Sequence, residues 1–362
     1  MPIKLHDYRR AAAITFLSLP LGLRAERQYH AMPKLSVQSI LNPLPSLSII
    51  IPARNEAINL PKLLPSLKSC NYPGPLEIIV VDDNSTDETA GIAKSFEVKV
   101  ISLNTMVEGC LGKPYACHQG AKAAQGDWLL FTDADTIHTP NGLASAVTHA
   151  IEHRLAGLSL FVHQECKSYL DRLALMTAFA GLFAGKDPTE ATLNGQYILL
   201  KRDVYWKSGG FEVVCDQPME DLAMGENLRR LGYNIPTLRG ESAASVYMYD
   251  NARHVWHGMS RIGSGTMKWS GAWSIVTALF ITALMSPLIV LTGVLTGKLR
   301  GRWLPTTWVT VTITMIPWAK RYGSWKYALL APIGGLVIQI AALSGLIKRL
   351  IGHKYIWKDR RV

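Results

Sequence analysis

At 362 residues, 48% of them hydrophobic, the chain holds an ordinary domain and more, so core burial is not limiting. Its 38 Lys and Arg against 27 Asp and Glu give a net charge of +11, which suits a nucleic acid or an anionic membrane surface. The placement of the charge favours the membrane and excludes nucleic acid as the partner: Lys348, Arg349, Lys354, Lys358, Arg360 and Arg361, interleaved with Tyr355 and Trp357, follow an apolar run directly.

Near the start, residues 11–23 form an apolar run between Arg9-Arg10 and the charged Arg24, Glu26 and Arg27. The run is short for a span and contains Pro20, so an interfacial segment or the remnant of an anchor is expected rather than a signal peptide. The Pro- and Ser-bearing stretch 32–46 reads as a linker. Five cysteines (Cys70, Cys110, Cys117, Cys166 and Cys215) form no CxxC pair and are odd in number, so ordinary buried thiols in a reducing compartment are expected. Cys117-His118 lacks a zinc spacing.

A repeating pattern begins at residue 47. Apolar strands are expected at 47–51, 76–81, 98–102 and 127–131, with helices at 57–67, 88–96 and 114–124 between them. Such alternation implies a mostly parallel, doubly wound α/β sheet, in which ligands sit beyond the carboxyl ends of the strands. Polar residues gather at those ends: Pro52 to Glu56 after the first strand, Asp82 to Asp87 after the second, Asp133 and Asp135 after the fourth. Acids at i and i+2 of an extended segment point the same way. Two hard oxygen donors side by side suit Mg²⁺ or Mn²⁺ that also keeps waters and a ligand diphosphate. Taken singly, Asp133-Ala134-Asp135 also suits a strand-to-loop turn and Asp82 to Asp87 a helix start. Three acidic strand ends on one edge point to a site.

The motifs Ile51-Pro52-Ala53-Arg54-Asn55-Glu56, Val80-Val81-Asp82-Asp83-Asn84-Ser85-Thr86-Asp87, Gly112-Lys113 and Phe131-Thr132-Asp133-Ala134-Asp135 resemble glycosyltransferase family 2, in that family's order and spacing, over residues 47–262. The resemblance implies a GT-A fold, a nucleotide-sugar donor (a UDP-sugar favoured, a GDP-sugar possible) and Mg²⁺ or Mn²⁺ held by Asp135 and Asp133. It implies a donor side of Pro52, Asn55, Glu56 near the ribose, Asp82 or Asp83 at the base, Lys113 at the phosphates, and Asp133. Asn194 to Leu200 resembles the strand lining the acceptor side, where Gln196 falls. Met219-Glu220-Asp221-Leu222 resembles the family's Glu-Asp motif, which makes Asp221 the catalytic base and Glu220 the residue that orients the helix start. An acidic pair at a helix N-terminus also suits capping alone.

Within the family, 246–258 resembles enzymes that glycosylate lipophilic terpenoids, the carotenoid (diaponeurosporenoate-type) and hopanoid-associated glycosyltransferases. Processive polysaccharide synthases carry Gln-x-x-Arg-Trp here, whereas this chain has Arg253 to Arg261, with Trp256 and Arg261 as acceptor-side candidates. His254 and His257 beside Trp256 suit packing better than a metal. Gly263-Ser264-Gly265 and Gly109 to Lys113 match neither a dinucleotide fingerprint nor a phosphate-binding P-loop.

The C-terminal part shows apolar stretches at 272–297, 303–319 and 326–347. The first and third are long enough to span; the second is short and Thr-rich, and is expected to dip into the interface, leaving catalytic domain and tail cytoplasmic. The apolar stretch 169–184 suits a core helix or a membrane-facing helix that admits a greasy acceptor. The expected division is 1–46 as interfacial segment and linker, 47–267 as the GT-A domain and 268–362 as the membrane domain. The expected activity is inverting transfer of a sugar to a lipophilic acceptor, a carotenoid hydroxyl or carboxyl. Rivals are another lipid acceptor (polyprenyl phosphate, hopanoid, sterol or diacylglycerol) and a non-catalytic nucleotide-sugar-binding membrane protein.

Overall fold

A computed structural model describes residues 5–104, 109–186, 192–217, 219–249, 251–269, 273–350, 356–357 and 360–361. The chain forms two compact units, each assembled from separated stretches: 32–164, 190–247 and 356–362 in one, and 1–31, 165–189 and 248–355 in the other. These units are not the consecutive division expected from the sequence. Residues 32–46 group with the sheet, and both the first 31 residues and the 169–184 helix group with the C-terminal helices.

The first unit carries β1 (Leu47–Ala53), β2 (Leu76–Asp82), β3 (Lys99–Ser102), β4 (Trp128–Thr132), β5 (Thr136–His138), β6 (Gly157–Phe161), β7 (His163–Gln164), β8 (Tyr197–Lys201), β9 (Thr237–Arg239) and β10 (Ala244–Val246). Seven of them form one sheet in the order β3-β2-β1-β4-β8-β6-β9, and β5-β10-β7 form a second. The four expected strands are parallel neighbours, whereas β8 runs antiparallel to both β4 and β6. Burial on both faces is why β1 reads as an unbroken aliphatic run: Ile49, Ile50 and Ile51 are all fully buried. Each such side chain contributes roughly 1.5–3 kcal/mol of hydrophobic stabilisation. Helix Leu60–Lys68 buries Leu60, Leu63, Leu64 and Leu67, one face at helical spacing. Helix Gly112–Ala123 lies close on β1 because Gly120 has no Cβ; one built there would collide with the Ile50 side chain.

Register positions the site. Ala53 pairs with Asp82 across β1 and β2, and Ile50 pairs with Phe131 across β1 and β4. The carboxyl ends of these strands therefore come level, and their loops share one edge.

The second unit is helical: Leu5–Phe16, Ser18–Ala31, Tyr169–Ala184, Ala252–Trp269, Trp273–Leu295, Trp303–Arg321 and Ala331–Leu350. Helix Tyr169–Ala184 starts at a capping box, in which Ser168 and Asp171 satisfy each other's backbone donors. Two helices in the described residues, Trp273–Leu295 and Trp325–Lys348, are long and apolar enough to cross a membrane.

Candidate active site

The loops after β1 and β2 brace one another. Asn55 and Asn84 adopt left-handed backbone angles, with φ of 52° and 53°, which asparagine tolerates better than most residues. Asn55 Oδ1 accepts the Thr86 N–H at 2.8 Å, and Asn55 donates its own N–H to Ser85 Oγ at 3.0 Å. The buried Arg54 guanidinium donates to the carbonyls of Asp83 and Asn84 at 2.7 and 2.8 Å. Asp82 and Asp83 are both buried, and Asp82 Oδ1 accepts the Ser85 N–H at 3.2 Å. Glu56 receives the Asn59 side-chain amide at 2.7 Å. The expected donor-side residues Asn55, Glu56, Asp82 and Asp83 thus stand together in one hydrogen-bonded wall.

At the end of β4, Thr132 gives its hydroxyl proton to the Gln196 carbonyl at 3.0 Å and lies 3.2 Å from His138 Nε2. His138 must therefore donate from Nε2, and burial pushes its pKa down to about 3, which keeps it neutral. This pairing ties the root of the Asp133-Asp135 turn to the segment before β8. Asp135 accepts the Tyr247 N–H on its backbone carbonyl at 3.2 Å.

Lys113, in the first turn of its helix, brings the acidic groups together. Its Nζ lies 2.8 Å from Asp133 Oδ1 and 2.9 Å from Glu220 Oε1, and the three side chains are only 14–27% exposed. Burial pulls the ammonium's pKa down, but Asp133 and then Glu220 outweigh it, and the net shift is well upward, so Lys113 stays charged. Next to Glu220, Asp221 accepts the Gly195 N–H on Oδ2 at 2.9 Å and the Leu222 N–H on Oδ1 at 2.9 Å. Burial first, and the Glu220 charge second, push the Asp221 carboxyl up to about 6 against the pull of Lys113 and these donors. Pro52, Lys113, Asp133, Gly195, Phe211 and Glu220 line one cleft.

Gln196 is buried, and its amide oxygen accepts from Gln164 Nε2 at 3.0 Å and Asn194 Nδ2 at 3.2 Å. Trp256 belongs to the helical unit, half-buried on Ala252–Trp269, and the Arg261 side chain lies outside the described residues. The cysteine expectation needs correction: Cys110 and Cys215, 105 positions apart, form a disulfide, while Cys70, Cys117 and Cys166 are free. Leu111 donates its N–H to the Cys215 carbonyl at 2.7 Å, so the fold, not sequence spacing, brings the two thiols together. The bridge pins the start of the Lys113 helix to the segment leading into Glu220. Sequence reading also missed the Gly195 N–H, since a backbone donor leaves no mark in a motif beyond the glycine itself.

The donor set suits a divalent cation that is completed by its ligand. Asp133 and Asp135 offer hard oxygens two residues apart, while no three His, Cys, Asp or Glu side chains among the described residues could hold a metal alone. Phosphate oxygens and waters would fill the remaining positions, as hard cations such as Mg²⁺ prefer.

Residues 48–209 match the family model described as Glycosyl transferase family 2. The 4,4'-diaponeurosporenoate glycosyltransferase of Staphylococcus haemolyticus (strain JCSC1435) is 31% identical over 218 residues, 57% of each chain. The protein of the same name from Staphylococcus aureus (strain bovine RF122 / ET3-1) is 27% identical over 218 residues, 56% of each chain. The chain thus spans little more than half the length of the curated relatives it matches. The solved mannosyltransferase PcManGT from Pyrobaculum calidifontis, in complex with GDP-Man and Mn²⁺, aligns with a TM-score of 0.55 at 18% identity, covering 95% of this chain and 98% of that one, a likeness of fold. The sheet order, the level strand ends and the match to PcManGT agree on a GT-A fold, and residues 48–209 are similar in sequence to glycosyltransferase family 2.

Proposed function

We propose that the chain transfers a sugar, with inversion, from a nucleotide-diphosphate sugar to a lipophilic acceptor, a carotenoid hydroxyl or carboxyl. The observation that carries this reading is the cluster in which Lys113 bridges Asp133 and Glu220 while Gly195 holds Asp221 beside them. A metal-side carboxylate, a fixed cation and a half-buried candidate base, held side by side, are the parts a single displacement at an anomeric carbon needs. The names of the two Staphylococcus relatives support the acceptor class, and the GDP-Man and Mn²⁺ of PcManGT support a nucleotide-sugar donor with a divalent ion.

In this reading the wall of Asn55, Glu56, Asp82 and Asp83, with Pro52 beside it, receives the nucleoside. Asp133 and Asp135 hold Mg²⁺ or Mn²⁺, which when bound offsets charge developing on the departing diphosphate. Lys113 adds a fixed positive charge to the same phosphates and, through its ion pairs, keeps Asp133 and Glu220 in place. Asp221, ionised above its raised pKa and aimed by the Gly195 N–H, takes the acceptor's proton as the acceptor oxygen attacks. Gln196 supports the acceptor-side segment through its buried amide contacts. The two long apolar helices and the basic, aromatic-bearing tail support a membrane location.

Membranes containing the full chain, given UDP- and GDP-sugars in turn with a carotenoid acid or alcohol, test the proposal by mass spectrometry of extracted pigment. The expected product is a glycosylated carotenoid, formed with one donor nucleotide, lost on chelation with EDTA and restored by Mn²⁺ or Mg²⁺. Transfer to a polyprenyl phosphate or diacylglycerol but not to a carotenoid overturns the acceptor; undiminished transfer in EDTA overturns the metal.

A further inference from the structure

Three helical segments of the second unit run side by side over the same length. At one end, Tyr8 packs in a cluster with Val290 and Leu299, joined by Trp303 and Leu304. Midway, Thr15 and Ser286 share a buried hydroxyl hydrogen bond of 2.5 Å, and Ser18 and Thr314 share another of 3.2 Å. At the other end the Arg24 guanidinium lies 4.2 Å over the Trp273 ring, Arg321 pairs with Glu26 at 2.6 Å, and Tyr29 meets Trp318 edge to face. Tyr8 to Arg24 and Val290 to Trp273 are each about 25 Å of helix at about 1.5 Å per residue. Residues 5–31 therefore follow Trp273–Leu295 antiparallel along its length, and Trp303–Arg321 follows residues 5–31.

This geometry decides between lying on a bilayer and crossing it. A helix in the headgroup plane meets a spanning helix at one depth only, whereas residues 5–31 meet Trp273–Leu295 at both ends and in the middle. From the membrane location proposed above, in which Trp273–Leu295 crosses, we infer that residues 5–31 and Trp303–Arg321 cross the bilayer beside it. Hydrocarbon covers their outer faces. The Arg9-Arg10 end and the Lys298–Arg302 connection then share one side of the membrane, and Gly323 lies on the other.

The chemistry of both segments fits that solvent. Residues 11–23 and 303–319 contain no charge, and charges flank each stretch at Arg9, Arg10, Arg24, Lys298, Arg302 and Lys320. The stretch 11–23 is short, about 20 Å, and its flanking arginines have stems long enough to carry their heads out to the interface. Large apolar side chains point outward at mid-length, Leu17 at 44% and Ile313 at 56% exposure. The threonines that make Trp303–Arg321 look too polar are internally satisfied: Thr306, Thr307, Thr310, Thr312 and Thr314 each donate to the carbonyl four residues back. The inward hydroxyls of Thr15, Ser18 and Ser286 pair between helices, as polar groups in hydrocarbon require. Gly22 lets the N-terminal segment close on Thr314, where a Cβ would collide.

The test places one epitope at a time, at the N-terminus, after Gly301 and after Gly323, in the full chain expressed in membranes. Sealed vesicles of each orientation are treated with protease, with sugar transfer as the check on folding. The N-terminal and Gly301 epitopes should be cut from one face and the Gly323 epitope from the opposite face. Cutting of all three from one face overturns the inference while leaving membrane association intact; recovery of the protein in the soluble fraction overturns both. Should an insertion block folding, Arg300→Cys and Lys320→Cys, labelled with a membrane-impermeant maleimide above the wild-type background, should react from opposite faces, and reaction from the same face again overturns it.

Discussion

The Gly195 N–H points at Asp221 Oδ2 over 2.9 Å, so the segment before β8 holds a carboxylate in the first turn of the Glu220–Arg230 helix. A Cβ at Gly195 would lie 3.1 Å from both Asp221 Oδ2 and Lys113 Nζ, tighter than either neighbour accepts without shifting. Gly195→Ala should lower kcat about tenfold with little change in donor KM, since displacements well short of an ångström are felt at a reacting centre. Steady-state kinetics check this, and an unchanged kcat would remove the positioning role of Gly195.

The raised pKa of Asp221 sets the acid limb of activity. Burial and Glu220 favour the protonated form, and a protonated carboxyl cannot act as base, so transfer should fall as pH drops through about 6 and level off above it. A pH profile of kcat/KM at fixed ionic strength reads this directly. Transfer that stays level from pH 7 to 5 would contradict the assignment.

Lys113→Met leaves Asp133 and Glu220 without the cation between them. Breaking a fully buried ion pair costs about 3–5 kcal/mol, and partial exposure of these groups reduces the expected loss to about 2 kcal/mol, seen as a lowered Tm. Donor affinity should fall as well, because the phosphates lose a fixed charge. Isothermal titration with the nucleotide sugar and thermal unfolding separate the two effects; a variant as stable and as tight-binding as wild type would show that Lys113 is a solvated surface residue.

The Cys110–Cys215 bridge makes a countable claim. Denatured without reductant, the protein should present three free thiols, and five after reduction. A Cys110→Ser, Cys215→Ser protein should lose about 2–4 kcal/mol of stability, the usual contribution of a bridge closing a long loop. Five reactive thiols before reduction would contradict the pairing.

Much of the sheet was legible because its signal is local. The runs Leu47–Ala53 and Leu76–Asp82 are buried on both faces, and their aliphatic composition shows it without any knowledge of partners. The acids at 82, 83, 133 and 135 were legible for the same reason, each following its own strand directly. What the chain order hid were the choices of partner. The antiparallel direction of Tyr197–Lys201, the ion pair from Lys113 to Glu220 and the bridge from Cys110 to Cys215 join segments distant in sequence. The sequence around Pro20 and the threonines of 303–321 likewise hides the partners of these groups: Thr15 pairs with Ser286, and each threonine donates to a carbonyl of its own helix.

The assignment of Asp221 as base is tested most directly by Asp221→Asn in the otherwise intact chain, with nucleotide-sugar binding and sugar transfer measured on the same preparation. Donor binding within about twofold of wild type, with transfer reduced by roughly 10²–10⁴, is the expected result for loss of a general base. Intact binding with transfer within a factor of three of wild type would contradict it.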